Sequence, residues 1–461
     1  MREELLKYLK SYSESIKYFE IVEGRLETTT DASLELYRLT NSELQKILSA
    51  IAKYPQKLKV FIVEDNPIKF LAAFMAGVIA GVDLFLCDPA WQQREWQQVL
   101  SLVKPDLILG KLTVALSTTK IWNAWRSHLP DRPLIMIPTG GTSGKIRFAM
   151  HSWETLSASV NGFQKYFNCQ NINSFCTLPL YHVSGLMQFM RSFITGGELV
   201  LCPYKAVETV ELNLDTRDYF ISLVPTQLQV LIESIPDWLS RFKTVLLGGA
   251  PAGRSLLDTA REYNILIAPT YGMTETASGI VTLKPADFIA GNNSSGRILP
   301  HARVTLKPID NKIGSIAISS ASLCLGYYPQ LFTSTTLVTD DLGYFDRDGY
   351  LHLVGRNSHK IITGGENVFP AEVEAAIFAT GLVTDVCVIG IRDRKWGQAV
   401  TAVYVPRSNF DLDRVKQQVR SQLANYKQPK KWIKVDRLPR NNRGKINYQQ
   451  LKAIAEGAIN N

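Results

Sequence analysis

Seven residues, Thr139-Gly140-Gly141-Thr142-Ser143-Gly144-Lys145, come just after the apolar run Leu134-Ile135-Met136-Ile137. The run predicts a buried strand, and the stretch behind it predicts a loop. Three glycines free the backbone to turn its N–H groups toward an anion, three hydroxyls donate further, and the lysine adds a compact positive charge. The loop reads as a polyphosphate cradle, although taken alone it also suits a Gly/Thr-rich surface turn. It is not a Walker A loop, which needs four residues between its first glycine and the Gly-Lys pair, then Ser or Thr. Here Thr139 occupies the glycine position and Ile146 follows Lys145, so the hydroxyl that would hold magnesium is missing. The phosphate loop must therefore belong to another fold.

A chain of 461 residues exceeds one ordinary core and predicts two or more domains. Its net charge of +9 is unevenly spread: between Arg414 and Lys452 there are twelve Lys or Arg and one acid, Asp436. Such a segment attracts phosphate or forms a solvated surface. No aromatic ladder or nucleic-acid motif accompanies it, so the expected partners are small molecules rather than nucleic acid. Cys87, Cys169, Cys176, Cys202, Cys324 and Cys387 form no CxxC pair, which fits a reducing, cytoplasmic setting without a zinc site. No signal-peptide core follows Met1, and the longest apolar run, 70–82, is too short to span a bilayer. No membrane insertion is expected, and the sequence leaves monomer or homodimer open.

Apolar runs and helical stretches alternate. Strands are predicted at 60–63, 84–86, 134–137, 175–178, 198–202, 220–224 and 244–247, with helices at 70–79, 153–166, 185–194 and 226–235. This is the pattern of βαβ units around a parallel sheet. From about Gly314 the strands shorten and Gly/Asp turns multiply, predicting a small β-rich subdomain. A polar boundary at 355–360 precedes a last segment with helices at 372–379 and 412–423 and strands at 386–389 and 399–405. The expected fold is α/β, with a large N-terminal domain over 1–355 built of βα sheets and a small α+β C-terminal domain over 356–461.

Three more clusters carry chemistry. Tyr271-Gly272-Met273-Thr274-Glu275-Thr276 offers an aromatic face for a base, hydroxyls for a phosphate and a carboxylate for a hard cation. Asp340, Asp341 and Arg356 supply a carboxylate able to accept ribose hydroxyls. Arg443-Gly444-Lys445 places a lysine on a loop in the basic segment.

In this order and spacing the clusters resemble the acyl-adenylate-forming superfamily of acyl- and aryl-CoA ligases, luciferases and peptide-synthetase adenylation domains. The resemblance runs from about residue 60 to 450. It implies ATP, Mg2+ and coenzyme A, with Thr139 to Lys145 as phosphate loop and Gly248-Gly249-Ala250-Pro251 packing on adenine. It implies that Tyr271 stacks adenine beside Gly272, Thr274 binds the α-phosphate, Glu275 holds magnesium, and Asp341 with Arg356 binds ribose. Gly364 and Gly365 would border the thiol tunnel, and Lys445 would bridge carboxylate and ATP. The small domain would be mobile about a hinge at His359, where Asp or Lys is usual. Within the superfamily, Pro179 to Gly185 followed by Arg191 resembles the 2-succinylbenzoate–CoA ligases of menaquinone and phylloquinone synthesis. His182 would then wall the acid pocket beside Ser184 and Gly185, and Arg191 would face the second carboxylate of the acid. As a helix residue Arg191 suits a solvent-facing position equally. Another aryl- or fatty-acyl-CoA ligase, or an adenylation enzyme loading a carrier protein, remains the alternative.

Overall fold

The computed structural model describes residues 2–22, 25–29, 32–53, 57–112, 129–140, 145–209, 214–309, 313–440 and 446–460. Among them the strands form sheets of seven, nine, four and five strands.

The first βαβ unit is Lys59–Val63, helix Pro67–Ala80 and Asp83–Cys87. Its strands pair in parallel, Val60 opposite Leu84 and Ile62 opposite Leu86. Because side chains alternate, Val60, Ile62, Leu84 and Leu86 enter one core, while Phe61, Val63, Phe85 and Cys87 enter another. Both faces are covered, which is why these strands read as continuous apolar runs. The helix starts at Pro67, where no backbone donor is needed, and the Asn66 side chain accepts from the N–H groups of Ile68 and Lys69. It stops at Gly81, whose φ of 75° suits glycine.

The nine-stranded sheet contains the parallel strands Leu199–Leu201, Asn173–Cys176, Tyr219–Leu223, Thr244–Leu247 and Ile267–Met273. Helices Pro67–Ala80, Trp153–Phe167 and Val183–Thr195 share one core with residues of both large sheets, among them Leu84, Leu199 and Leu201. Strands Ile16–Val22 and Arg25–Thr29 extend the nine-stranded sheet at its edge, a role the sequence alone does not predict.

One element differs from expectation in a way that matters. The strand before the phosphate loop is Ile135–Gly140, and an unpredicted strand, Ile146–His151, returns antiparallel to it, with Thr139 opposite Arg147 and Gly140 opposite Ile146. The two strands that flank residues 141–144 thus pair with each other as a hairpin.

Four antiparallel strands, Ala302–Pro308, Gly314–Ser320, Leu337–Phe345 and Leu351–Arg356, make the β-rich unit. The five-stranded sheet gathers Ile361–Thr363, Glu366–Val368, Val383–Asp393, Gly397–Pro406 and Lys431–Lys434. Helices Pro370–Phe378 and Leu412–Gln422 contribute to one core on this sheet and helix Tyr448–Asn460 to a second.

Phe85 is fully buried, with ring centroids of Phe61, Phe148 and Tyr328 at 5.4, 5.2 and 5.0 Å. Phe85→Ala should cost about 3–5 kcal/mol in denaturant unfolding; a loss under about 1 kcal/mol would contradict this packing.

Candidate active site

The strand Ile267–Met273 runs into a single turn, Thr274–Thr276, and every carbonyl from 274 to 277 is held by a different residue. His151 Nε2 donates to Thr274 O at 2.8 Å, and Cys324 N to Glu275 O at 2.8 Å. Ser322 Oγ donates to Thr276 O at 2.9 Å, and Ser159 Oγ to Ala277 O at 2.7 Å. Both hairpin strands, Ile135–Gly140 and Ile146–His151, lie against this turn. The strands that flank residues 141–144 and the Thr-Glu-Thr segment therefore meet.

Glu275 is buried, and its Oε1 accepts from Tyr327 OH at 2.6 Å. Arg147 lies over the Tyr327 ring at 4.0 Å. Among the described residues no group of three or more His, Cys, Asp or Glu could hold a metal ion. A single fixed carboxylate instead fits magnesium that arrives with a polyphosphate and keeps its waters.

Tyr271 is buried, and its hydroxyl donates to Asp341 Oδ2 at 2.9 Å. Burial and then the Asp341 carboxylate push this phenol upward, so it stays a donor. Arg356 Nε donates to Asp341 Oδ1 at 3.0 Å. Asp341 and Arg356 are direct cross-strand partners, which explains how residues so far apart in sequence meet. Asp340 points elsewhere: its Oδ1 accepts from Ser358 N at 3.1 Å and its other oxygen from the Ser358 hydroxyl. Gly248, next to the strand Ile267–Met273, leads into Gly249 at φ 82° and exposed Ala250 and Pro251.

At the other end of the site, His182 caps helix Val183–Thr195, and its ring packs edge-on against Tyr181 at 4.7 Å. Ser184 is exposed. Gly185 is required by close approach, since a Cβ there would stand 2.2 Å from Pro179 O. Arg191 is only 4% exposed, so the solvent-facing alternative fails. Its Nη2 donates to Ser278 Oγ at 3.2 Å and its guanidinium lies 4.2 Å from the Phe163 ring centroid. Its Nε has no hydrogen-bond partner among the described residues, and burial pushes its pKa down to about 10.

Gly364 and Gly365, with φ of 59° and 86°, form the two-residue tip of the hairpin that pairs Thr363 with Glu366 on the five-stranded sheet. The His359 ring packs on Tyr448 at 4.1 Å, where the last helix begins. Burial, then the Arg356 charge, lowers the His359 pKa. Lys145 is exposed beyond the phosphate hairpin. Gly141, Thr142, Ser143, Gly144 and Lys445 lie outside the described residues; an antiparallel bridge between Arg440 and Ile446 brackets the last.

His151, Ser159, Ser322 and Tyr327 carry no motif and are visible only in three dimensions. His151 is fully buried, and burial pushes its imidazole from 6.5 down to about 4. The unfolded chain gains a proton near 6.5 and the folded chain only near 4, so stability falls as pH drops between these values. Compared with the parent, His151→Gln should lose roughly 3 kcal/mol less across that window in urea titrations; parallel pH profiles would refute the buried neutral imidazole.

A family model described as AMP-binding enzyme matches residues 36–328, and one described as AMP-binding enzyme C-terminal domain matches 372–445. A 2-succinylbenzoate–CoA ligase of Listeria monocytogenes is 35% identical over 459 residues, covering 94% of this chain and 95% of that protein. The Bacillus subtilis o-succinylbenzoate CoA synthetase, solved in complex with its acyl-adenylate intermediate, aligns with TM-score 0.77 at 25% identity, over 96% of this chain and 97% of that one. A double mutant of that synthetase bound to a product analogue aligns at the same identity and coverage with TM-score 0.62. By the extent of these matches, this chain belongs to the AMP-binding enzyme family.

Proposed function

We propose that the chain is an ATP-dependent carboxylate–CoA ligase that converts 2-succinylbenzoate to 2-succinylbenzoyl-CoA through an acyl-adenylate, in menaquinone or phylloquinone synthesis. The observation that carries the substrate class is Arg191. Its described partners are a hydroxyl and an aromatic ring, and neither is an anion. A buried charge without a counter-charge costs several kcal/mol. An acid with a second carboxylate supplies that counter-charge on binding; a fatty acid does not. The named relatives support the same substrate.

The carboxylate to be activated attacks the α-phosphorus of ATP, a new oxygen–phosphorus bond forms, and pyrophosphate leaves. Two anions must approach, so donors and cations fixed before the reaction matter most. Tyr271, Asp341 and Arg356 would orient the nucleoside, Gly249 to Pro251 would flank its base, and Thr274 would meet the α-phosphate. Glu275 would hold magnesium, which when bound neutralises phosphate charge. Lys445 would reach the reacting carboxylate from the C-terminal domain. Thiolysis by CoA would follow rotation of residues 356–461 about His359, bringing Gly364 and Gly365 to the thiol tunnel.

The test is CoA-dependent AMP release with 2-succinylbenzoate against benzoate, succinate and a medium-chain fatty acid. Selective turnover of 2-succinylbenzoate is expected, and preference for another acid overturns the assignment. Arg191→Met should raise the KM for the diacid roughly 100-fold, as loss of one side of a buried charge pair does, without lowering unfolding stability. Lys445→Ala should slow adenylate formation by at least about 100-fold, while thioester formation from supplied acyl-adenylate persists; equal loss of both half-reactions would sink its role.

A further inference from the structure

We propose that His301 is a specificity-determining residue for the acid, donating a ring N–H to the same carboxylate that Arg191 meets. The inference rests on the diacid reading given above and extends it to a residue that no motif marks.

His301 lies in the turn before the strand Ala302–Pro308, and its backbone is fixed there. Its carbonyl accepts from Ala321 N at 3.3 Å and from Ser320 Oγ at 3.0 Å. Its ring lies over Gly162, where a Cβ would stand 1.8 Å from Nδ1. The next residue, Phe163, carries the Arg191 guanidinium on its face. Helix Trp153–Phe167 thus carries the imidazole over one residue and the guanidinium over the next, and only glycine at 162 leaves room for the imidazole.

Both ring nitrogens of His301 are buried without a hydrogen-bond partner among the described residues, as is Arg191 Nε. Buried polar atoms nearly always find partners. Three such atoms on two neighbouring side chains mark where ligand atoms belong. Burial, then the Arg191 charge, keeps the imidazole neutral. A neutral imidazole has one N–H donor, and a guanidinium has only donors. Together they match one carboxylate: the guanidinium balances its charge and takes one oxygen, and the imidazole satisfies the other without adding a second charge. A hydroxyl or amide at the same place would leave Arg191 uncompensated.

The experiment is calorimetric titration of the intact protein with 2-succinylbenzoate and with the analogue in which hydrogen replaces the ring carboxylate. His301→Leu should weaken diacid binding about 10- to 100-fold, the effect of one missing bond to a buried carboxylate, and His301→Asn should recover most of it. Gly162→Ala, which displaces the ring from the opposite side, should reproduce the loss if His301→Leu folds poorly. Equal weakening of diacid and monoacid would make His301 a packing residue and overturn the proposal. Unchanged diacid affinity in His301→Leu would overturn it while leaving the ligase reading intact. Failure of the parent protein to bind the diacid would remove the substrate reading and this inference with it.

Discussion

The four pinned carbonyls from Thr274 to Ala277 are the constraint on which the rest of the site depends. Their donors come from the seven-stranded sheet, from the helix between the large sheets, and from the segment leading out of the strand Gly314–Ser320. The turn can be where it is only if those elements are packed correctly against one another. It is also strained: Ala277 and Ser278 have φ of 50° and 84°, conformations that cost about 1–3 kcal/mol each for residues with a side chain. Such strain persists only where surroundings over-determine the backbone. Here the result is a Glu275 held by Tyr327 on one side of the turn and a Ser278 hydroxyl presented to Arg191 on the other. One strained segment thereby connects Glu275 to Arg191, the two proposed ends of the site.

What the sequence discloses and what it hides divide along physical lines. The parallel strands are legible because burial on both faces writes them as apolar runs; Thr244–Leu247 is predicted to the residue. The strand Ile146–His151 is hidden because Lys145, Arg147 and His151 interrupt its apolar residues. The Thr-Glu-Thr turn is legible because backbone freedom and hydroxyl donors demand particular residue types at fixed spacing. The residues that hold the turn are illegible, since a serine or a histidine far along the chain does the work with its side chain alone. Arg191 illustrates the limit best. A helix arginine reads equally well as solvated or buried, and only the tertiary packing of Phe163 and Ser278 around it shows that it is buried. His301 is harder still, because the reason it fits is the absence of a side chain at Gly162.

The two ends of the site handle negative charge differently, and dielectric surroundings explain why. At the proposed nucleotide end Lys145 and Arg356 are exposed, and Arg356 is already paired with Asp341. Interactions there are weakened by water and salt, which suits a polyphosphate whose charge must be gathered, redistributed and released in one cycle. At the proposed acid end Arg191 is buried, and an unscreened charge pair is several-fold stronger at the same distance. Strength of that kind would be a liability on a leaving pyrophosphate but serves discrimination between acids, because an acid without the second carboxylate leaves the guanidinium unpaired. Selectivity for the diacid would then arise as much from the penalty on wrong acids as from attraction of the right one. The neutral His301 ring is consistent with that division, since a second buried cation would have raised the desolvation cost without improving the match to a single carboxylate.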